Sequence, residues 1–355
     1  MPVTKYAFLF SALKGKLTRS VSREQLVSML NKKSIYDALV SISGTDVGEF
    51  MRDKISPETT LYEAEQLLFR YLWNEVLFIE NVGIREVNEV VDKYILRYDL
   101  YNIRFILRSL FYEKEISGLI PIGILYKRAL LEELSMVKSF KEVVYTLRKA
   151  ALSDYAEIID NYLEGLRGKD LNSLRSVESN LYKKYYNVLL KTVSKVRGGT
   201  ELKRAVRKLI DSHNILVVLR GILSGTPRHL IISSLVEPTM YITLETLVEA
   251  AEQNNITQAL QILARSPYER ILSKVSNTIS AGASESLIET MLLQEFLREV
   301  HSDLLRSFFS PQPILDYILN KELEISMLRT VLWSLWNNIP KELIEPMLRG
   351  VVGEG

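Results

Sequence analysis

Three polar residues recur at a fixed spacing inside otherwise apolar helical sequence, and they bound the chemistry open to this chain. Asp99, Asn102 and Arg108 sit in DLYNIRFILR, and Asp211, Asn214 and Arg220 sit 112 residues later in DSHNILVVLR. Both blocks read D-x-x-N-I-x-x-x-L-R, and a shorter-spaced echo follows at Glu322, Ile325, Leu328 and Arg329. At roughly 100° per residue Asp99 and Asn102 share a helix face, whereas Arg108 lies half a turn away and must find a partner off its own helix. Two chemistries fit such a set. One is internal: the arginines clamp carboxylates or helix C-terminal carbonyls between neighbouring helices, and the Asp and Asn are satisfied inside the bundle. The other is external: Arg108, Arg220 and Arg329 reach a shared surface and grip acidic or carbonyl groups of a partner.

A second cationic group surrounds Gly198-Gly199. Lys191, Lys195, Arg197, Lys203, Arg204, Arg207 and Lys208 cluster there with only Glu201 in opposition. Such a turn suits anionic lipid or an acidic protein partner, or is simply a solvated charged loop. Trp333, Trp336 and Ile339 near the C-terminus form either an interaction surface or the packed side of a last helix.

Catalytic patterns are absent. No G-x-x-x-x-G-K-[ST], G-x-G-x-x-G, H-E-x-x-H or nucleophile elbow occurs. His213, His229 and His301 lie in separate segments without ligand spacing; a metal site or a catalytic base needs convergent groups. His213, inside a repeated helix, reads as a packed imidazole. With no cysteine, the chain has no disulfide, thiol nucleophile or cysteine-ligated metal. We therefore expect no catalytic residue, cofactor or metal. Forty-five basic residues against 43 acidic ones leave a net charge of +2, too weak a field for a dedicated nucleic-acid binder.

The elements that must position these residues are helices, and they repeat. Glu65-x-x-Leu68-Phe69, Glu178-x-x-Leu181-Tyr182 and Glu289-x-x-Leu292-Leu293 keep the same beat of 113 and 111 residues. Earlier in each unit, apolar residues beginning at Ile35, Phe140 and Ile256 share one i, i+3, i+4, i+7 pattern. Each unit thus carries short helices, within 22–52, 121–166 and 243–280, followed by a long pair. The expected pairs are 61–78 with 87–112, 174–196 with 202–223, and 286–309 with 314–337. Turns fall at Asn81 to Gly83 and at Gly198-Gly199, and Pro311 and Pro313 break the third pair. A further helix opens the chain, with Tyr6, Leu9, Phe10, Leu13 and Leu17 on one face. Its eight-residue apolar run is too short for a signal peptide, and no uncharged apolar stretch approaches the ~18–20 residues needed to cross a bilayer. Breaks at Ser117 to Pro121 and Gly225 to Pro227 divide the chain into 1–118, 119–230 and 231–355. The expected class is all-α, with almost no sheet.

The opening helix, the D-x-x-N-I-x-x-x-L-R blocks at 99–108 and 211–220, and the closing YILNKELEISMLRTVL at 317–332 resemble the C subunits of archaeal-type rotary ATPases, the family that includes the d subunits of vacuolar proton pumps. The resemblance implies an all-helical funnel of three similar domains with a central cavity. It implies a non-catalytic rotor part, peripheral to the membrane on its cytoplasmic face, during proton or sodium transport. Its partners would be the membrane proteolipid ring and central-stalk coiled-coil subunits of the D and F type. A free-standing helical scaffold is the competing reading; common solenoids repeat every ~33 to 47 residues, less than half the period here.

Overall fold

The computed structural model describes residues 2–196, 199–280, 285–304 and 311–348; Arg197 and Gly198 of the basic turn lie outside them. Among the described residues every regular element is a helix, so the chain is all-α. The long helices run Leu61–Asn81, Arg85–Phe111, Leu171–Lys195, Thr200–Leu223, Glu285–Leu304 and Gln312–Trp336, within a few residues of the spans expected from periodicity, except that 305–309 of the expected fifth helix lie outside the described residues. Their starts follow local chemistry. Thr60 accepts from Glu63 N–H while the Glu63 side chain accepts from Thr60 N–H, and Asp170 accepts from the N–H groups of Asn172 and Ser173; both neutralise donors that a helix leaves unpaired at its first turn. Pro311 immediately precedes the last long helix, where a missing N–H costs nothing.

Two compact units result, one of Met1–Val91 with Leu304–Gly355 and the other of Asp92–Asp303. In the first unit Gln312–Trp336 is the core. It packs on Leu61–Asn81, Arg23–Leu30, Ile35–Val40 and the opening helix Pro2–Leu17. Buried on nearly every face, it cannot show the one-sided stripe of a surface helix. In the second unit Leu171–Lys195 packs on Thr200–Leu223, which in turn carries Leu244–Ala251 and Ile256–Leu263. The opening helix buries Tyr6, Leu9 and Leu13 as expected, with Phe10 and Leu17 only partly covered.

The repeated Asp and Asn hold the second unit together by taking hold of backbone. Asn102 donates from Nδ2 to Ile120 O at 2.9 Å and accepts from Ile120 N–H at 2.8 Å. Asn214 does the same to Val236, at 2.8 and 2.9 Å. Asp99 accepts from the N–H groups of Ile124 and Leu125 at 2.8 and 3.0 Å. Asp211 accepts from those of Met240 and Tyr241 at 2.9 and 2.8 Å, and from the Tyr268 hydroxyl at 2.9 Å. All four side chains are fully buried, so each bond acts with little competition from water, and removing it would orphan groups that cannot be rehydrated. A long helix therefore anchors the loop that follows it. In the third block Glu324 bonds to a loop, accepting from Val21 N–H at 2.7 Å. Glu324 also pairs with the buried Lys321 at 2.8 Å.

Asp99 needs a neighbour without a side chain. Gly123 has φ of +105°, and a Cβ there would lie 2.4 Å from Asp99 Oδ2. Gly123→Ala should thus be destabilised by about 1–3 kcal/mol in denaturant unfolding, combining strain with displacement of the carboxylate. Gly15→Ala, in a helix with open space around it, should instead gain about 0.5–1 kcal/mol. Burial pushes the Asp99 carboxyl up to about 7, against the opposing pull of the Leu125 and Ile124 N–H donors. The folded chain thus holds this proton more tightly than the unfolded one, so stability is greatest below the ordinary Asp range of ~4 and is lost as pH rises through the raised value. Unfolding curves between these limits should show wild type weakening relative to Asp99→Asn as pH increases; parallel pH profiles would contradict this.

Candidate functional site

Arg108 and Arg329 turn inward to glutamates, as the internal reading requires. Nε and Nη2 of Arg108 donate to the two carboxylate oxygens of Glu178 at 2.5 and 2.8 Å. Arg329 Nε donates to Glu65 at 2.9 Å and its guanidinium lies over the Phe69 ring at 4.9 Å. Glu65 and Glu178 are the first residues of the E-x-x-L-aromatic landmark, so the two repeated motifs are partners: the Arg that closes one long helix meets the Glu of another repeat. The same register leads from Arg220 to Glu289, whose side chain lies outside the described ones.

Arg108 and Arg220 also line one cavity in the second unit, of about 310 Å³, floored by Glu178 and Tyr182 and joined by Arg104 and Arg175. Arg104 Nε stands 3.3 Å from Glu178. Arg108 stays 47% exposed in its side chain, which leaves its outer edge reachable from solvent. His213 stacks between Tyr182 and Tyr186, with ring centres 4.8 and 5.2 Å away. Burial first, then the charges of Arg220 and Arg104, lower its pKa to about 3, so it is a neutral packed imidazole at ordinary pH.

The basic turn divides. Lys191, Lys195 and Lys203 are exposed. Arg204 is half-buried, with Nε 3.7 Å from Glu201. Arg207 and Lys208 point inward: Arg207 Nε donates to Thr239 O at 2.6 Å, and Lys208, fully buried, donates to Glu299 at 2.9 Å. Glu201 is therefore not the sole opposing acid, because Glu299 approaches from 91 residues away. In the first unit Trp333 and Trp336 are both exposed, 39% and 58%, so they do not complete the core around the last helix.

Sequence reasoning passed over Arg104, Arg175 and the buried polar set of the first unit. There Glu75 takes Lys16 Nζ at 2.9 Å and the Tyr317 hydroxyl, while Lys321 reaches Ser20 Oγ at 2.9 Å and Glu324. Lys321 and Glu324, three apart in an apolar helix, carried a readable sign of internal pairing; Arg104 and Arg175 carried none, because neither recurs in the repeat. Among the described residues no three His, Asp or Glu side chains converge to hold a metal. Nor is any described helix long and apolar enough to cross a membrane.

Residues 10–347 match the model of the ATP synthase (C/AC39) subunit family. The C subunit of the A-type ATP synthase of Methanocaldococcus jannaschii is 23% identical over 97% of this chain and 86% of its own length. Its counterpart from Pyrococcus horikoshii is 24% identical over 97% and 90%, and that from Methanococcoides burtonii 23% over 90% of each. A subunit family of this kind accords with a chain that is not itself an enzyme. With paired motifs in repeated helices among the described residues, the match over residues 10–347 makes this chain a member of the ATP synthase (C/AC39) subunit family.

Proposed function

We propose that this chain is the rotor part that couples the central stalk of an A-type ATP synthase to the membrane proteolipid ring. It would sit on the cytoplasmic face of the membrane as a peripheral protein and turn with both partners during proton or sodium transport. The observation that carries the reading is the family match across residues 10–347, with relatives that are named as C subunits of A-type ATP synthases. In this reading 1–118, 119–230 and 231–355 are three related wedges around a central cavity, and the cavity receives coiled-coil stalk subunits of the D and F type.

Several physical features support it. Torque transmission needs stiffness and broad contacts and no reactive group, and close-packed helices deform little. The buried Asp and Asn bonds from Asp99, Asn102, Asp211 and Asn214 stiffen the points where one repeat passes into the next. Packing of the last long helix on the first helices joins residues from the first and last parts of the chain in one compact unit. Lys191, Lys195 and Lys203 offer an exposed basic edge to an acidic partner or to anionic headgroups. Arg108, Arg220, Arg329 and Arg204, with Arg197 of the same turn, are further candidates for partner contact.

Affinity capture on this chain from detergent-solubilised membranes should recover a proteolipid ring together with a coiled-coil stalk protein; recovery of a soluble signalling protein in their place would favour the scaffold. Reversing Lys191, Lys195 and Lys203 to Glu should leave the fold intact and weaken ring or stalk binding by about tenfold at low salt, with the loss shrinking as salt rises. Unchanged affinity for both partners would remove the basic edge from the interface.

A further inference from the structure

The cavity beneath Arg108 holds more positive charge than the repeat needs. In the first unit the equivalent junction consists of one arginine, one glutamate and one aromatic ring: Arg329, Glu65 and Phe69. In the second unit Arg108, Glu178 and Tyr182 occupy the same positions, yet Arg104, Arg175 and Arg220 line the cavity as well. Repeat spacing pairs Arg104 with Leu216 and Ile325, and Arg175 with Tyr62 and Ser286, so these two arginines are particular to this copy. Of the four lining arginines, Arg108 and Arg104 share the carboxylate of Glu178 and Arg220 has a partner of its own, which leaves Arg175. Arg175 is half-buried, and no ion pair is described for it.

We propose that this cavity is a binding site for a phosphate-class anion, with Arg175 as its principal ligand and Arg104, Arg108 and Arg220 supplying the surrounding field. Planar guanidinium forks match phosphate oxygens in pairs, which a cluster of lysines would not do. Ser179, Ser224 and Thr226 line the same space and add hydroxyl donors. About 310 Å³ falls at the small end of ligand sites and suits a pyrophosphate-sized group. Leu171, Leu174 and Ile231 contribute apolar lining. Glu178 would oppose an anion were it unpaired, but its two oxygens are taken up by Arg108.

Titration of the full chain with inorganic pyrophosphate at constant ionic strength tests the proposal. One saturable site is expected, with affinity reduced about tenfold in Arg175→Gln and about threefold in Arg175→Lys, which keeps the charge and loses the fork. Lys141→Gln, an exposed cation outside the cavity, should bind as wild type does. Thermal midpoints without ligand check that each variant is folded, and Arg175→Lys serves if Arg175→Gln is not. Vesicles of phosphatidylcholine with and without phosphatidylinositol 4-phosphate separate the sources. Arg175-dependent recruitment that pyrophosphate reverses assigns a lipid headgroup, and pyrophosphate binding without recruitment assigns a soluble phosphate; either supports the site. No saturable binding, equal losses in Arg175→Gln and Lys141→Gln, or tighter binding of a glutamate-rich peptide than of pyrophosphate would overturn it.

Discussion

A buried carboxylate or amide must have partners, and in this chain that requirement sets the architecture. Asp99, Asn102, Asp211 and Asn214 are placed in long helices where water cannot reach them. The only groups available in number are the main-chain N–H and C=O of the next loop, and the loop must come to them. Bonds of this kind act over one or two residues, so they place the following loop relative to the helix that precedes it. Apolar packing on the remaining faces then supplies most of the free energy, without needing to specify where the chain turns.

The two units solve the same problem with different chemistry. In the second, acid and amide take hold of backbone, and the acid is pushed towards its neutral form by burial. In the first, the last helix uses a lysine with a glutamate, Lys321 with Glu324, and places the tyrosine hydroxyl of Tyr317 on Glu75. Breaking one member of such a set leaves a charge in a dry interior, so these groups act as a cooperative set. Arginine–glutamate pairs lie nearer solvent, at Arg108–Glu178 and Arg329–Glu65. Their contribution to stability is correspondingly modest, and their value lies in fixing the mutual orientation of the helices they join.

Much of this was legible in the residues. Helical periodicity placed the six long helices to within a few residues, since apolar spacing and turn glycines act locally. The pairing of Asp and Asn on one face, and the need for Arg108 to find a partner elsewhere, followed from helix geometry. Which partner it found did not, because Glu178 is 70 positions away and long-range pairing is not encoded in spacing. The inward turn of Arg207 and Lys208 was hidden for the same reason: nothing near them in the chain announces Thr239 or Glu299. The bond of Glu324 to Val21 was hidden likewise, since the two lie 303 positions apart. Arg175 offered no pattern at all, being present in one copy only.

Recognition through the main chain has an evolutionary corollary. Asn102 and Asn214 address peptide groups, so the identity of the residue addressed is of little account: Ile120 in one loop answers to Val236 in the other, and Ile124 to Met240. Substitutions can accumulate in these loops while the attachment survives, provided the two anchoring side chains and a narrow spot such as Gly123 persist. A joint of this kind makes few demands on the side chains of the loop it holds, so drift there leaves it standing.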